Sequence, residues 1–278
     1  MNIAIIGLGL MGGSLALSLK TKEYVSDIVG YDHNQEHCTQ AIQLGLVSKI
    51  ISFDEIKKYD VIFLAIPVNG VIAMLKKLIN VDANTTIIDL RGTKQKIIQS
   101  IPPVIRKNFV AAHPMTGTEN FGPSAAISGL YEDKIVVLCD LEDSGELQSK
   151  IAKKIFKSLN MRKSFMKAIE HDSHAAFISH MPHVISFSLA NTVIKQENKN
   201  NILTLAAGGF RSMSRLAKSS PYMWEDIFRQ NKSNLLEAIT LFETELTSLK
   251  NAINDDDWTS VHKEMENANK LHDILKDD

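Results

Sequence analysis

Cysteine is scarce in this chain of 278 residues: Cys38 and Cys139 are its two thiols. Two thiols so far apart frame neither a disulfide-stapled fold nor a zinc site, and they point to a reducing compartment. No excess of charge exists either, with 31 basic side chains against 32 acidic ones. Nucleic acid is therefore not an expected partner, and an anionic ligand has to be caught by local cations rather than by the field of the whole molecule. No apolar run approaches the roughly 20 residues that a membrane-crossing helix needs. The amino terminus lacks the basic start and cleavage region of a secretory leader. Repeats and low-complexity segments are missing as well. These absences describe a cytoplasmic protein with no membrane partner, long enough for about two domains.

What is present begins at once. Asn2-Ile-Ala-Ile-Ile reads as a buried strand, and Gly7, Gly9 and Gly12 follow it at G-x-G-x-x-G spacing before a segment of good helix propensity. The spacing serves close approach: Gly7 for a tight turn, Gly9 for bare backbone against a pyrophosphate, Gly12 for helix packed on strand. Unpaired N–H groups at the helix start then face the phosphates. A second strand, 27–31, ends at Asp32, 20 positions beyond Gly12. A carboxylate there accepts hydrogen bonds from ribose hydroxyls and repels a 2′-phosphate, so the expected cofactor is NAD. The candidate cofactor contacts are Gly7, Leu8, Gly9, Leu10, Met11, Gly12 and Asp32, joined by Ala65, Ile66 and Pro67 at the end of a third strand.

Further along, the spacing predicts a helix over 34–44 closed by Gly45, strands at 61–67, 85–89, 109–112 and 134–139, and a helix reaching about residue 159. Alternating strands and helices imply an α/β doubly wound sheet. That alternation stops near residue 165, and nearly everything beyond scans as helix. The expected division is 1–165 and 166–278. After Ser220-Pro221, which suits a helix start, an apolar seam of Trp224, Phe228, Leu235, Phe242 and Leu249, with Ile239, Leu246 and Ile253 alongside, spans about 30 residues, or about 45 Å of helix. So long a seam predicts a second subunit. A last helix is expected from Trp258 to Leu275.

Ligands of open α/β sheets bind at the carboxyl ends of strands. His113 follows Phe109-Val-Ala-Ala at such an end, in a glycine-bearing loop, and imidazole titrates in the range suited to taking a hydroxyl proton as hydride leaves. Thr93 offers a hydroxyl to fix the substrate oxygen. Four more histidines, His171, His174, His180 and His183, occupy the helical region. On a straight helix the first pair points about 180° from the second, and no H-E-x-x-H arrangement accompanies them, so no metal is expected. His180 and His183 are expected to face a cleft as donors, with His171 and His174 capping or in solvent. Arg211 and Arg215, at i and i+4, would share a helical face, and at least one of them is expected to grip a substrate carboxylate.

Together these stretches resemble the prephenate/arogenate dehydrogenase family: G-L-G-L-M-G-G-S over 7–14, D-L-R-G-T-K over 89–94, H-P-M-T-G-T-E over 113–119, S-H-M-P-H over 179–183, G-G-F-R-S-M-S-R-L-A over 208–217 and S-P-Y-M-W over 220–224. The resemblance implies a Rossmann domain followed by an all-α dimerisation domain, a homodimer, and NAD-dependent oxidative decarboxylation of prephenate. It further implies that His113 is the catalytic histidine, that Arg215 holds a substrate carboxylate, that His183 lies near the substrate side chain, and that Glu119 gates the pocket mouth.

Overall fold

The computed structural model describes residues 1–196 and 198–275. The chain runs β1 (Asn2–Ile6), α1 (Leu10–Lys20), β2 (Asp27–Tyr31), α2 (Gln35–Gln43), α3 (Phe53–Ile56), β3 (Val61–Leu64), α4 (Val68–Leu75), β4 (Thr86–Asp89), α5 (Gln95–Gln99), β5 (Phe109–Pro114), β6 (Ile135–Cys139), α6 (Glu146–Ser158) and β7 (Arg162–Met166). It continues through α7 (Ala168–Ala175), a π-helical turn (Ala176–His180), α8 (Met181–Ile194), α9 (Lys199–Thr204), α10 (Gly208–Ser214), a 3₁₀ turn (Arg215–Lys218), α11 (Pro221–Gln230), α12 (Lys232–Asn254) and α13 (Trp258–Ile274). Two compact units result, Met1–Lys232 and Ser233–Asp278.

One seven-stranded sheet in the order β2-β1-β3-β4-β5-β6-β7 carries the first unit. Strand periodicity explains its two cores. Ile3 and Ile5 of β1 pack with α1 and α6 residues such as Leu15, Ile155 and Phe156. Ala4 and Ile6 face the other way, with Val68, Val71 and Leu75 of α4 and Ile97 of α5. Continuous apolar strands are what burial on both faces requires.

The sheet departs from uniform alternation in one place. β5 and β6 pair antiparallel, with His113 opposite Val137. No crossover helix lies between them, so the chain returns on the neighbouring strand in the reverse sense. That connection, 115–134, instead folds over the start of α1: the Tyr131 hydroxyl donates to the Met11 carbonyl at 2.7 Å and the Ile127 N–H to Ser14 Oγ at 2.9 Å. β7 is an edge strand that the apolar pattern missed, since its RKSFM sequence has little burial to announce it.

The expected 30-residue seam is interrupted as well. α11 starts at Pro221 with the Ser220 side chain accepting the Met223 N–H, but it ends at Asn231. The Asn231 amide donates to the Asp172 carbonyl at 2.6 Å and to His180 Nδ1 at 3.1 Å. These bonds hold a residue of low helix propensity out of the helical run.

Candidate active site

The β1–α1 turn is closed by absence of side chains. Gly7 sits at φ +94°, and a Cβ there would lie 2.6 Å from the Ala65 carbonyl oxygen. A Cβ on Gly12 would lie 1.9 Å from the Gly7 carbonyl, whereas at Gly9 nothing comes nearer than 3.9 Å. Two glycines thus pack the turn, and the middle one leaves backbone open to a ligand. α1 begins with no side-chain cap and no acid in its first turn, which keeps its first N–H groups available to phosphate.

Two cavities adjoin this turn. One, of about 360 Å³, is lined by Asp32, Ile66, Pro67, Asn69 and Tyr222. The other, of about 530 Å³, is lined by Gly9, Leu10, Met11, Ala65 and Pro67 on one side and by His113, Glu119, His180, His183, Arg215 and Trp224 on the others. Gly7, Leu8 and Gly12 lie beneath and shape the turn. Asp32 is held by the Leu8 N–H on one oxygen and the Asn34 N–H on the other, both at 2.9 Å. Its carboxylate is therefore fixed at the edge of the smaller cavity. The glycine cradle, the open helix start and this carboxylate fit a dinucleotide.

In the larger cavity His113 reaches the sheet edge from within β5, not from the loop after it. Its Nδ1 lies 2.8 Å from His171 Nε2. A Cβ on Gly92 would stand 3.6 Å from His113 Nε2, so the missing side chain leaves that nitrogen room. Burial, His171, Lys94, His180 and Arg91 hold the His113 imidazole well below its ordinary value of 6.5. It is a neutral base near pH 7.

Below it, Lys94 is fully buried, paired with Asp89 and donating to the Ala112 carbonyl at 2.7 Å. Burial pushes Asp89 up against the pull of Lys94. His180 is driven to about 4, chiefly by burial. Its Nδ1 accepts from Asn231, so the ring hydrogen sits on Nε2. His183 stacks on Trp224 with ring centroids 3.4 Å apart and donates Nδ1–H to the Ser179 carbonyl at 2.9 Å. Burial lowers its pKa too.

Arg215 and Glu119 close the opposite wall as an ion pair at 3.2 Å. A hydrogen bond from its own backbone N–H, then Arg215, holds Glu119 below the usual carboxylate range.

Several expectations need correction. Thr93 is buried with its hydroxyl unpartnered among the described residues, and Gly92 lines the cavity in its place. Arg211 does not line the cavity; its Nε donates to the Ala206 carbonyl at 3.1 Å. The shared helical face fails because α10 ends at Ser214 and a tighter turn starts at Arg215. His171 is neither capping nor solvated but buried against His113, while His174 is exposed. The angular count failed because a π-turn inserts extra residue length between the histidine pairs. It precedes Pro182, whose ring has no N–H to offer the previous turn.

Comparison with known proteins decides the family. A family model described as prephenate dehydrogenase, nucleotide-binding domain, matches residues 15–164, and one described as prephenate dehydrogenase, dimerization domain, matches 167–267. The chain belongs to the prephenate dehydrogenase family. It is similar to the prephenate dehydrogenase of Bacillus subtilis at 31% identity, over 99% of this chain and 76% of that one. It is equally close, at 31%, to the cyclohexadienyl dehydrogenase of Zymomonas mobilis, over 100% of this chain and 97% of the relative. The prephenate dehydrogenase structure from Aquifex aeolicus, in complex with hydroxyphenyl propionate and NAD+, superposes with a TM-score of 0.91 at 30% identity, covering 100% of this chain and 98% of that one.

For a prephenate dehydrogenase family member, the residues that sequence reasoning missed are the ones that act through others. Asp226 of α11 accepts the Val68 N–H at 2.7 Å and an Asn69 amide hydrogen at 3.0 Å, placing an anion at the start of α4. Arg91 lines the cavity while nearly buried. Asp172 and Asn231 hold the imidazoles. Asn231 and Asp226 find partners 51 and 158 positions away, so no short-range spacing marks them.

Proposed function

We propose that this chain oxidises prephenate with NAD and releases carbon dioxide, giving 4-hydroxyphenylpyruvate, with His113 as the base. The observation that supports this most directly is an imidazole held at Nδ1 by His171, on a cavity shared with the open glycine turn and Arg215. NAD bound in the glycine cradle would supply the acceptor for hydride from the ring carbinol carbon. His113 Nε2 takes the hydroxyl proton, and the new carbonyl draws in the electron pair of the breaking ring–carboxylate bond, so the ring becomes aromatic. Arg215 grips a substrate carboxylate once it parts from Glu119, which gates the mouth. His180 donates from Nε2–H, and His183 contacts the substrate side chain from its Trp224 stack. Gly7, Gly9 and Gly12 shape the phosphate cradle, and Asp32 selects NAD by meeting the ribose hydroxyls.

The same proposal divides the chain into a cofactor domain, 1–165, and a substrate and dimerisation domain, 166–278. It places a homodimer in the cytoplasm. Exposed Leu236, Leu241, Leu246 and Ile253 on α12 support the self-association, and the free thiols Cys38 and Cys139 support the compartment. Sedimentation at the 30.9 kDa of one chain would contradict the dimer.

A second reading, acceptance of arogenate, is favoured by the relative named cyclohexadienyl dehydrogenase. Steady-state assays with prephenate and arogenate, each with NAD and NADP, test both. NAD reduced with prephenate supports the proposal; no reduction with either substrate overturns it.

A further inference from the structure

The contact that holds His113 at Nδ1 continues behind the base as a chain of hydrogen bonds. His113 Nδ1 meets His171 Nε2 at 2.8 Å, and His171 Nδ1 meets Asp172 Oδ1 at 2.8 Å. Asp172 also accepts the Lys94 N–H on Oδ1 at 2.8 Å and the Gln95 N–H on Oδ2 at 2.9 Å. Both its oxygens are thus acceptors of backbone hydrogens, and both residues of the pair are buried.

We propose that His171 and Asp172 are positioning residues that fix the tautomer of His113. The reading rests on His113 being the base. Its logic is directional. An acceptor-only carboxylate requires the hydrogen of His171 on Nδ1, because the opposite tautomer would set a lone pair against Oδ1 in a dry site. His171 Nε2 is then an acceptor, so His113 carries its hydrogen on Nδ1. The lone pair of His113 is left on Nε2, beside the gap at Gly92, where a proton can be taken. When His113 gains that proton, its positive charge is turned toward Asp172 through the intervening ring.

Other groups around the pair reinforce the need for such a device. Lys94 with Asp89 lies beneath, Arg91 approaches from the turn after β4, and His180 from the π-turn. Neither of the cations, Lys94 and Arg91, can accept a hydrogen from Nδ1, whereas His171 Nε2 lies 2.8 Å from it. The backbone carbonyl of Asp172 meanwhile accepts from Asn231, whose second amide hydrogen leaves His180 with its own hydrogen on Nε2. One residue of α7 therefore sits at the root of two imidazoles with opposite exposed characters, an acceptor on His113 and a donor on His180.

The test is the nitrogen-15 spectrum of histidine-labelled enzyme near pH 7.5, with the His113 signals assigned by their loss in His113→Asn. A protonated Nδ1 and a bare Nε2 are expected in the unaltered enzyme; the reverse, or an even mixture, overturns the inference whatever the variants at 171 and 172 do. In Asp172→Asn the expected result is loss of that tautomer preference and a fall in kcat of about 10²- to 10⁴-fold, with KM for prephenate changed only a few-fold. His171→Gln, whose amide oxygen still accepts from Nδ1–H, should retain at least tenfold more kcat than His171→Leu. Equal losses in those two variants would reduce His171 to a filler and overturn the claim. Active His113→Asn enzyme would sink the base assignment and the positioning role with it. An inactive His113→Asn enzyme, with the unaltered enzyme carrying its His113 proton on Nε2, would sink the positioning role alone.

Discussion

At the scale of single residues, the cavity sorts its side chains by the state in which burial leaves them. His113 is pushed well below 6.5 by burial and by the cationic groups around it. A base with so depressed a value stays deprotonated as pH falls through 6.5. The rate should therefore be flat from about pH 6.5 to 8 and decline only in more acidic solution, as the imidazole finally charges. An acid limb in the kcat profile centred at or above 6.5 would contradict this. Arg215 serves binding rather than proton transfer. Arg215→Ala should raise KM for prephenate by about 10- to 100-fold, the loss expected for a hydrogen bond to a charged group. NAD affinity should move less than threefold, and comparable losses for both ligands would refute the clamp. His113, beside a strand end, and Arg215, beside a glycine pair, were legible in the residues themselves, whereas Glu119 came only with the family resemblance; all three line the cavity. Sequence reasoning misplaced Thr93 and Arg211, whose direction depends on a single residue of turn geometry, and it overlooked Asp172, whose importance arises only when α7 meets α5 across 78 positions of chain.

Elements carry the next level of organisation. The parallel strands were legible because burial on both faces demands apolar runs, as in Val61 to Leu64. The antiparallel return of β6 was not, since strand direction is set by the path of the intervening loop rather than by the strand's own residues. α4 illustrates how one element is held by another. Its start is met by Asp226 from α11, which accepts the Val68 N–H and an Asn69 amide hydrogen. Pro67, the residue before it, lines both cavities. Asp226→Asn removes the charge from this buried helix start, and we expect a loss of about 1–3 kcal/mol in denaturant unfolding together with a higher KM for NAD. A stability within about 0.5 kcal/mol of the unaltered protein, the order of error of such extrapolations, would show that Asp226 is not an anchor. The same reasoning explains the helix break at Asn231, where helical periodicity predicted continuity but two buried hydrogen-bond partners claimed the amide.

For the whole molecule, the buried imidazoles couple the active cavity to acid stability. His180 titrates near 4 in the folded chain, against about 6.5 when unfolded. Between those values the unfolded chain binds the extra proton, so folding stability should rise with pH through the window 4 to 6.5 and be lost as pH falls through it. The contribution of this one imidazole is at most about 3 kcal/mol. His180→Asn should flatten that part of the stability profile, and an unchanged slope would dissociate the imidazole from acid unfolding. The family and its two-part organisation were readable because six short motifs occur in order along most of the chain, each fixed by backbone approach or by charge. The most direct measurement is to add prephenate to the enzyme with NAD and follow NADH and carbon dioxide together, for the unaltered protein and for His113→Asn. Equal amounts of both products are expected from the unaltered enzyme, and turnover about 10²- to 10⁴-fold slower from a variant that still binds NAD. NADH formed without carbon dioxide, or a His113→Asn enzyme as fast as its parent, would contradict the assignment of this cavity to base-assisted oxidative decarboxylation.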